Sequence, residues 1–218
     1  MTAKKAAGAK SPRAKPAVPP PALKNPASDK PGLILDAALD LFRQHGYRRT
    51  SMEDIANAAN VAKGTLYIYF KSKDELFEGL ARRLSAQIAQ DVKAALARKL
   101  PFEDKVLAVL DAKLGFVYRW VLSSPHASEL TDPTSQLPDD VFGPVDQALR
   151  ASLADLFKTE VKAGKIDLKG AGLTPETAVD TLLAAAHGAE MGATGEEHFH
   201  ERLTRIGRLT LRGLRSGL

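Results

Sequence analysis

The sequence contains no cysteine, which excludes a disulfide scaffold, a thiolate metal site and a cysteine nucleophile. Aromatic residues make up only 6% of it; with abundant Ala, Leu, Lys and Arg, this favours a helical fold. No apolar run approaches the roughly 18 residues of a membrane span, so a soluble, cytoplasmic chain with no membrane partner is expected. G-x-S-x-G, H-E-x-x-H and P-loop patterns are all missing, so no catalytic residue, metal site or cofactor is expected and the chain does not read as an enzyme. Acidic residues are also missing before Asp29.

That last absence gives the net charge of +5 a location. Residues 1–28 hold Lys4, Lys5, Lys10, Arg13, Lys15 and Lys24 together with six prolines, and almost no large apolar side chains. Such a stretch buries too little surface to offset its ordering entropy, so a disordered basic tail is expected. It reads either as a solvated arm or as a sequence-independent contact to phosphates. A second concentration, a local +4, lies between Arg43 and Lys73: Arg43, Arg48, Arg49, Lys63, Lys71 and Lys73 against Glu53 and Asp54. Residues 80–218 are neutral overall.

Past Pro31 the pattern is helical. Ile34, Ala37, Ala38, Leu41 and Phe42 form one helix face, with Gly46 where a C-terminal cap belongs. Thr50-Ser51-Met52-Glu53 reads as a capping box with Thr50 as the cap and Glu53 reaching back. The helix it opens stops at Asn60, which tolerates the left-handed conformation. About three residues later another short helix, from Ala62 to about Tyr69, is expected. Ser72-Lys73-Asp74-Glu75 then opens a long helix ending before Pro101. Two short helices across so tight a turn form either a helix-turn-helix or an ordinary αα-hairpin. Lys63, Gly64, Thr65, Tyr67 and Tyr69, then Lys71, give the second helix donors and aromatic tips suited to phosphates and base edges.

The run ILDAALDLFRQHGYRRTSMEDIANAANVAKGTLYIYFKSKDELF closely resembles the N-terminal domain of TetR-family transcriptional regulators. Asn60 stands where that family usually has Gly, and Ile68 and Tyr69 where it often has an aromatic residue and His. The resemblance implies an all-α protein. Its DNA-binding domain would cover residues 29–80, with the helix-turn-helix at about 51–70, and a larger helical effector-binding and dimerisation domain would follow at 81–218. It implies that Thr50 and Ser51 bind a phosphate, that Lys63, Gly64 and Thr65 enter the major groove, and that Tyr67, Tyr69 and Lys71 grip the flanking backbone.

The C-terminal part is less specific. Phe102–Ser123 reads as one helix that is apolar on two faces, deeply buried or lining a cavity. Further helices are expected at Val141 to about Ala163, from Thr174-Pro175-Glu176 onward, and at about His198 to Leu214. Phe116, Trp120, His187, Glu190 and Met191 are candidates for an effector pocket, with a hydrogen-bonded core histidine as the plainer reading of His187. Ala184, Ala185, Gly188, Ala189, Leu203 and Ile206 are candidates for a homodimer interface, intrachain packing being the alternative. The acidic and His-rich run Glu196–Glu201 reads as helix capping rather than a metal site. The expected function is a repressor that leaves a palindromic double-stranded DNA operator when a small-molecule effector of unknown identity binds. An architectural DNA-binding protein driven by the basic tail is the alternative, and a metal-dependent hydrolase built on His198 and His200 a remote one.

Overall fold

In the computed structural model, which describes residues 30–132, 137–138 and 140–214, every regular element is a helix. The expected basic tail at residues 1–28 lies outside the described residues. Helix α1 spans Lys30–His45, α2 Met52–Ala58, α3 Lys63–Tyr69 and α4 Lys73–Ala97. The stop signals act where the sequence places them. Gly46 (φ 87°) ends the first helix and Asn60 (φ 53°) turns the chain between the second and third. In that turn the Val61 N–H reaches back to the Ala56 carbonyl at 3.0 Å.

Ile34, Ala38 and Phe42 of α1 meet Ile55 and Ala56 of α2, Leu66 of α3 and Leu76 of α4 in a core from which water is excluded. Burying a side chain such as Leu66 contributes about 1.5–3 kcal/mol. Phe70 caps α3 and lies on Gly79 of α4, where a Cβ would come within 3.0 Å of its ring. The domain boundary expected at residue 80 therefore falls inside α4, a helix whose first turns belong to the N-terminal core and whose remainder packs on α5 and α7.

The segment expected as one regular helix over Phe102–Ser123 is corrected. Helix α5 is regular only over Phe102–Leu110, and then passes through two wide π-helical turns, Asp111–Gly115 and Tyr118–Leu122. Each such turn rotates all that follows relative to a 3.6-residue period. Tyr118 and Trp120 are therefore buried, whereas Val117 and Val121, which the regular period puts on the inner face with Leu114, are half-buried.

Short α6 (Ala127–Leu130), α7 (Gly143–Lys162), α8 (Pro175–His187) and α9 (Glu196–Arg212) complete the fold. Thr174 caps α8 in a reciprocal pairing with Thr177. Helix α9 crosses α5 closely at Gly207, where a Cβ would stand 2.5 Å from Leu107. Phe199 of α9 stacks on Tyr118, with ring centroids 4.4 Å apart.

Candidate nucleic-acid interface

The capping box at α2 is shifted by one residue from the expected one. Ser51 is the cap: its hydroxyl accepts the Asp54 N–H at 3.1 Å, and the Asp54 carboxylate accepts the Ser51 N–H at 2.9 Å. The Ser51 hydroxyl, donating to that carboxylate at 2.6 Å, and then the Ser51 N–H hold the Asp54 carboxyl below its ordinary range. Thr50 is almost wholly buried and donates its hydroxyl to the Gly46 carbonyl at 2.8 Å. Thr50 is thus a strut of the α1–α2 turn rather than its cap. Its hydroxyl faces inward, and the Ser51 N–H and hydroxyl are engaged by Asp54.

Lys73, counted among the surface charges, also turns inward. Its ammonium donates to the carbonyls of Tyr47 at 2.9 Å and Thr50 at 3.0 Å and lies 4.4 Å from the centroid of the Tyr47 ring. The Tyr47 phenol donates to Asp74, and burial together with that carboxylate keeps it protonated far above its usual range. The first turn of α4 thereby holds the turn that sets the angle between α1 and α2.

Helix α3 is anchored by Leu66, which is fully buried. At about 100° per residue, Gly64 and Ile68 lie on the side opposite Leu66. Lys63 and Tyr67 flank them on one side, Thr65 and Tyr69 on the other. Lys63, Gly64, Tyr67, Ile68 and Tyr69 are exposed and Thr65 is half-buried. A Cβ at Gly64 would meet nothing within 4 Å, so the helix backbone can be approached closely there. Lys63 pairs with Glu53 at 3.0 Å, and both groups are largely in water. Such a pair is worth little and is readily exchanged for a phosphate. Lys71 donates its backbone N–H to Glu75 at 2.8 Å, while its ammonium makes no ion pair among the described residues. Arg49 is exposed beside the α1–α2 turn. In the sequence Arg49 registers only as charge and Ile68 as a departure from the family pattern that bears on contacts at the operator; the structure adds the exposure of Ile68 opposite Leu66.

The expected effector residues do not come together. Phe116 and Trp120 are buried against each other, and the Arg43 guanidinium lies 5.9 Å from the Trp120 ring. Arg43 also donates to the Arg119 carbonyl at 3.3 Å, and Ser124 donates to the Arg43 carbonyl at 2.9 Å. These aromatics therefore serve the junction between α1 and the second π turn. Met191 is 76% exposed, and His187 is exposed and hydrogen-bonded at 2.7 Å to the Leu183 carbonyl of its own helix. Glu190 is half-buried, and burial raises its carboxyl above the ordinary range against the pull of His187 and Lys113. The described apolar groove lies elsewhere, between α4 and α7. It has a volume of about 530 Å³ and is lined by Val92, Leu96, Val145, Ala148 and Leu149, with Lys93 and Ser152 at its edges. Arg82 of α4 spans its mouth, donating to both Asp140 oxygens at 3.0 and 3.2 Å.

Two of the expected dimer residues, Ala189 and Leu203, are buried within the chain and belong to its core, which corrects their placement at an interface. Ala184 is exposed, while Ala185, Gly188 and Ile206 are half-buried. Arg202 of α9 donates to the Gly188 and Ala189 carbonyls, closing the end of α8. His200, from the acidic and His-rich run, pairs with Asp111 at 2.8 Å.

Residues 34–80 match the bacterial regulatory proteins of the tetR family. The uncharacterized HTH-type transcriptional regulator YhgD of Bacillus subtilis strain 168 is 31% identical over 138 residues, 63% of this chain and 72% of that protein. The probable acrEF/envCD operon repressor of Escherichia coli K12 is 43% identical over 44 residues, 20% of each chain. The fold is shared with a TetR/AcrR-family transcriptional regulator from Thermobifida fusca, at a TM-score of 0.68 and 24% identity, covering 86% of this chain and 100% of that one.

Proposed function

Since the chain belongs to the tetR family of bacterial regulatory proteins, and is thus a helix-turn-helix transcription regulator that binds DNA, we propose that it is a ligand-released repressor acting as a homodimer on a palindromic operator. The observation that carries this reading is the outward face of α3: a glycine and an exposed isoleucine between two exposed tyrosines, with Lys63 and Lys71 at its ends. Helix α3 enters the major groove, where side chains read base edges at about 1–3 kcal/mol of discrimination per good contact. Lys71, Arg49, Tyr67 and Tyr69 hold phosphates, which position the protein without specifying sequence. Residues 1–28 add salt-sensitive affinity through their six cations.

The groove between α4 and α7 receives the effector. Its volume suits a small organic molecule, and its lining suits an apolar one. A molecule wedged there acts on α4, whose first turn holds the α1–α2 turn through Lys73 and Asp74. Tilting α4 moves α3 in both subunits and takes their spacing away from the 34–36 Å that one turn of DNA requires (about that of B-DNA). The outer faces of α8 and α9, with Ala184, Gly188 and Leu209, pair two copies. The Escherichia coli relative is named a probable repressor.

The experiment is a thermal-shift screen followed by operator titration. A compound that raises the Tm of the full chain by occupying the groove should weaken its binding to a duplex enriched from a random pool. Groove-binding compounds that leave duplex affinity untouched would refute release by an effector.

A further inference from the structure

Ile68 is 78% exposed, the most exposed large apolar side chain among the described residues, at the centre of the face of α3 that leads away from the core. Its β-branch makes it a weak helix former, so helix stability does not explain it. Core packing does not explain it either, since it lies about 200° around the helix from the anchor Leu66. Gly64 stands one turn earlier on the same face, with open space around it. The absent side chain lets the first turn of α3 sink toward the bases, which carries Ile68 to the groove floor. Tyr67 and Tyr69, exposed at 43% and 39%, stand on either side of it.

Resting on the proposed docking of α3 in the major groove, we propose that Ile68 is a specificity-determining residue that reads the 5-methyl group of a thymine. The chemistry of the groove narrows the choice. Base edges there present hydrogen-bond donors and acceptors, and the thymine methyl is the apolar group among them. An isoleucine offers no hydrogen bond, so a donor or acceptor placed against it loses its water without replacement. A methyl placed against it gains by burial. The stiff χ1 of a β-branched side chain means little rotamer freedom is lost on contact. Burying one methyl is worth about fourfold in affinity, so a symmetric dimer with two such contacts gains about fifteenfold.

The test uses the full chain and a duplex that it enriches from a random pool. Each thymine of the half-site is replaced in turn, in both half-sites, by deoxyuridine, which removes only the methyl. For the unsubstituted protein, one symmetry-related thymine pair should give a loss of about fifteenfold. Ile68→Ala should bind the thymine and deoxyuridine duplexes equally, with a Tm no lower than the original because the side chain is 78% exposed and Ala is the better helix former. Retention of the full discrimination by Ile68→Ala would overturn the proposal, as would equal binding of every deoxyuridine duplex by the unsubstituted protein. Both results leave sequence-specific binding by α3 standing. A pool that yields no enriched duplex at all overturns that docking, and this inference with it.

Discussion

Glu129 on α6 accepts the backbone N–H of Arg48 at 3.0 Å, and its carboxylate fills the space beside Gly46, where a Cβ would stand 2.8 Å from Oε1. The tip of the segment that follows the two π turns is thereby pressed onto the turn that orients the helix-turn-helix. With Arg43 against Trp120, this gives the C-terminal helices a second line to the DNA-binding motif, besides α4.

Glu129→Ala removes the acceptor and leaves the Arg48 N–H to water. The substituted protein should bind the enriched duplex within about threefold of the original, yet respond less to any effector. The pH dependence has a defined sign. The Arg48 N–H, aided by nearby positive charges, holds the Glu129 carboxyl below its ordinary range. Its contribution is therefore present above the unfolded carboxyl value of about 4.3 and is lost as pH falls through the lower folded value. Unfolding followed from pH 6 to pH 3 (about that interval) should show a shallower acid loss for Glu129→Ala than for the original.

Thr50 and Ser51 separate a strut from a cap. Thr50→Val leaves the Gly46 carbonyl without its partner and should cost about 1–3 kcal/mol in denaturant unfolding. Ser51→Ala should cost about 1 kcal/mol through loss of the cap. Neither should weaken duplex binding at a temperature where the substituted protein is fully folded, since both hydroxyls are spent inside the protein.

Lys71→Ala should behave in the opposite way. Its Tm should be unchanged, while affinity falls similarly for enriched and unrelated duplexes and the salt slope drops by about one. A Lys71→Ala protein with the original slope would remove Lys71 from the phosphate contacts.

Filling the groove tests the effector site without the effector's name. Ala148 lines the cavity between α4 and α7 and is itself exposed, so Ala148→Trp can place its ring in the groove without displacing core side chains. Duplex binding should be retained, and compounds that raise the Tm of the original chain should no longer do so.

The N-terminal part was legible because its signals are local. Gly46 and Asn60 announce their positive φ by residue type, and the faces of α1 and α3 follow from an unbroken period anchored by Phe42 and Leu66. The cap of α2 was misplaced by one residue because Thr50 and Ser51 are equally good caps. What distinguishes them is the Gly46 carbonyl four residues back. Phe116 and Trp120 keep the shared face that a regular period gives them, but His187 and Met191 are exposed elsewhere, and the groove joins α4 to α7, helices about 60 residues apart whose pairing no local pattern records. The small residues around Gly188 looked alike in sequence, and only burial separates core Ala189 from exposed Ala184.

The most direct measurement is selection of duplexes from a random pool by the full chain at near-physiological salt, about 0.15 M. The account predicts enrichment of an inverted repeat whose half-site centres lie about one helical turn apart, with a thymine in each half-site whose methyl matters. Enrichment of no sequence, with uniform salt-sensitive binding to every duplex, would contradict it.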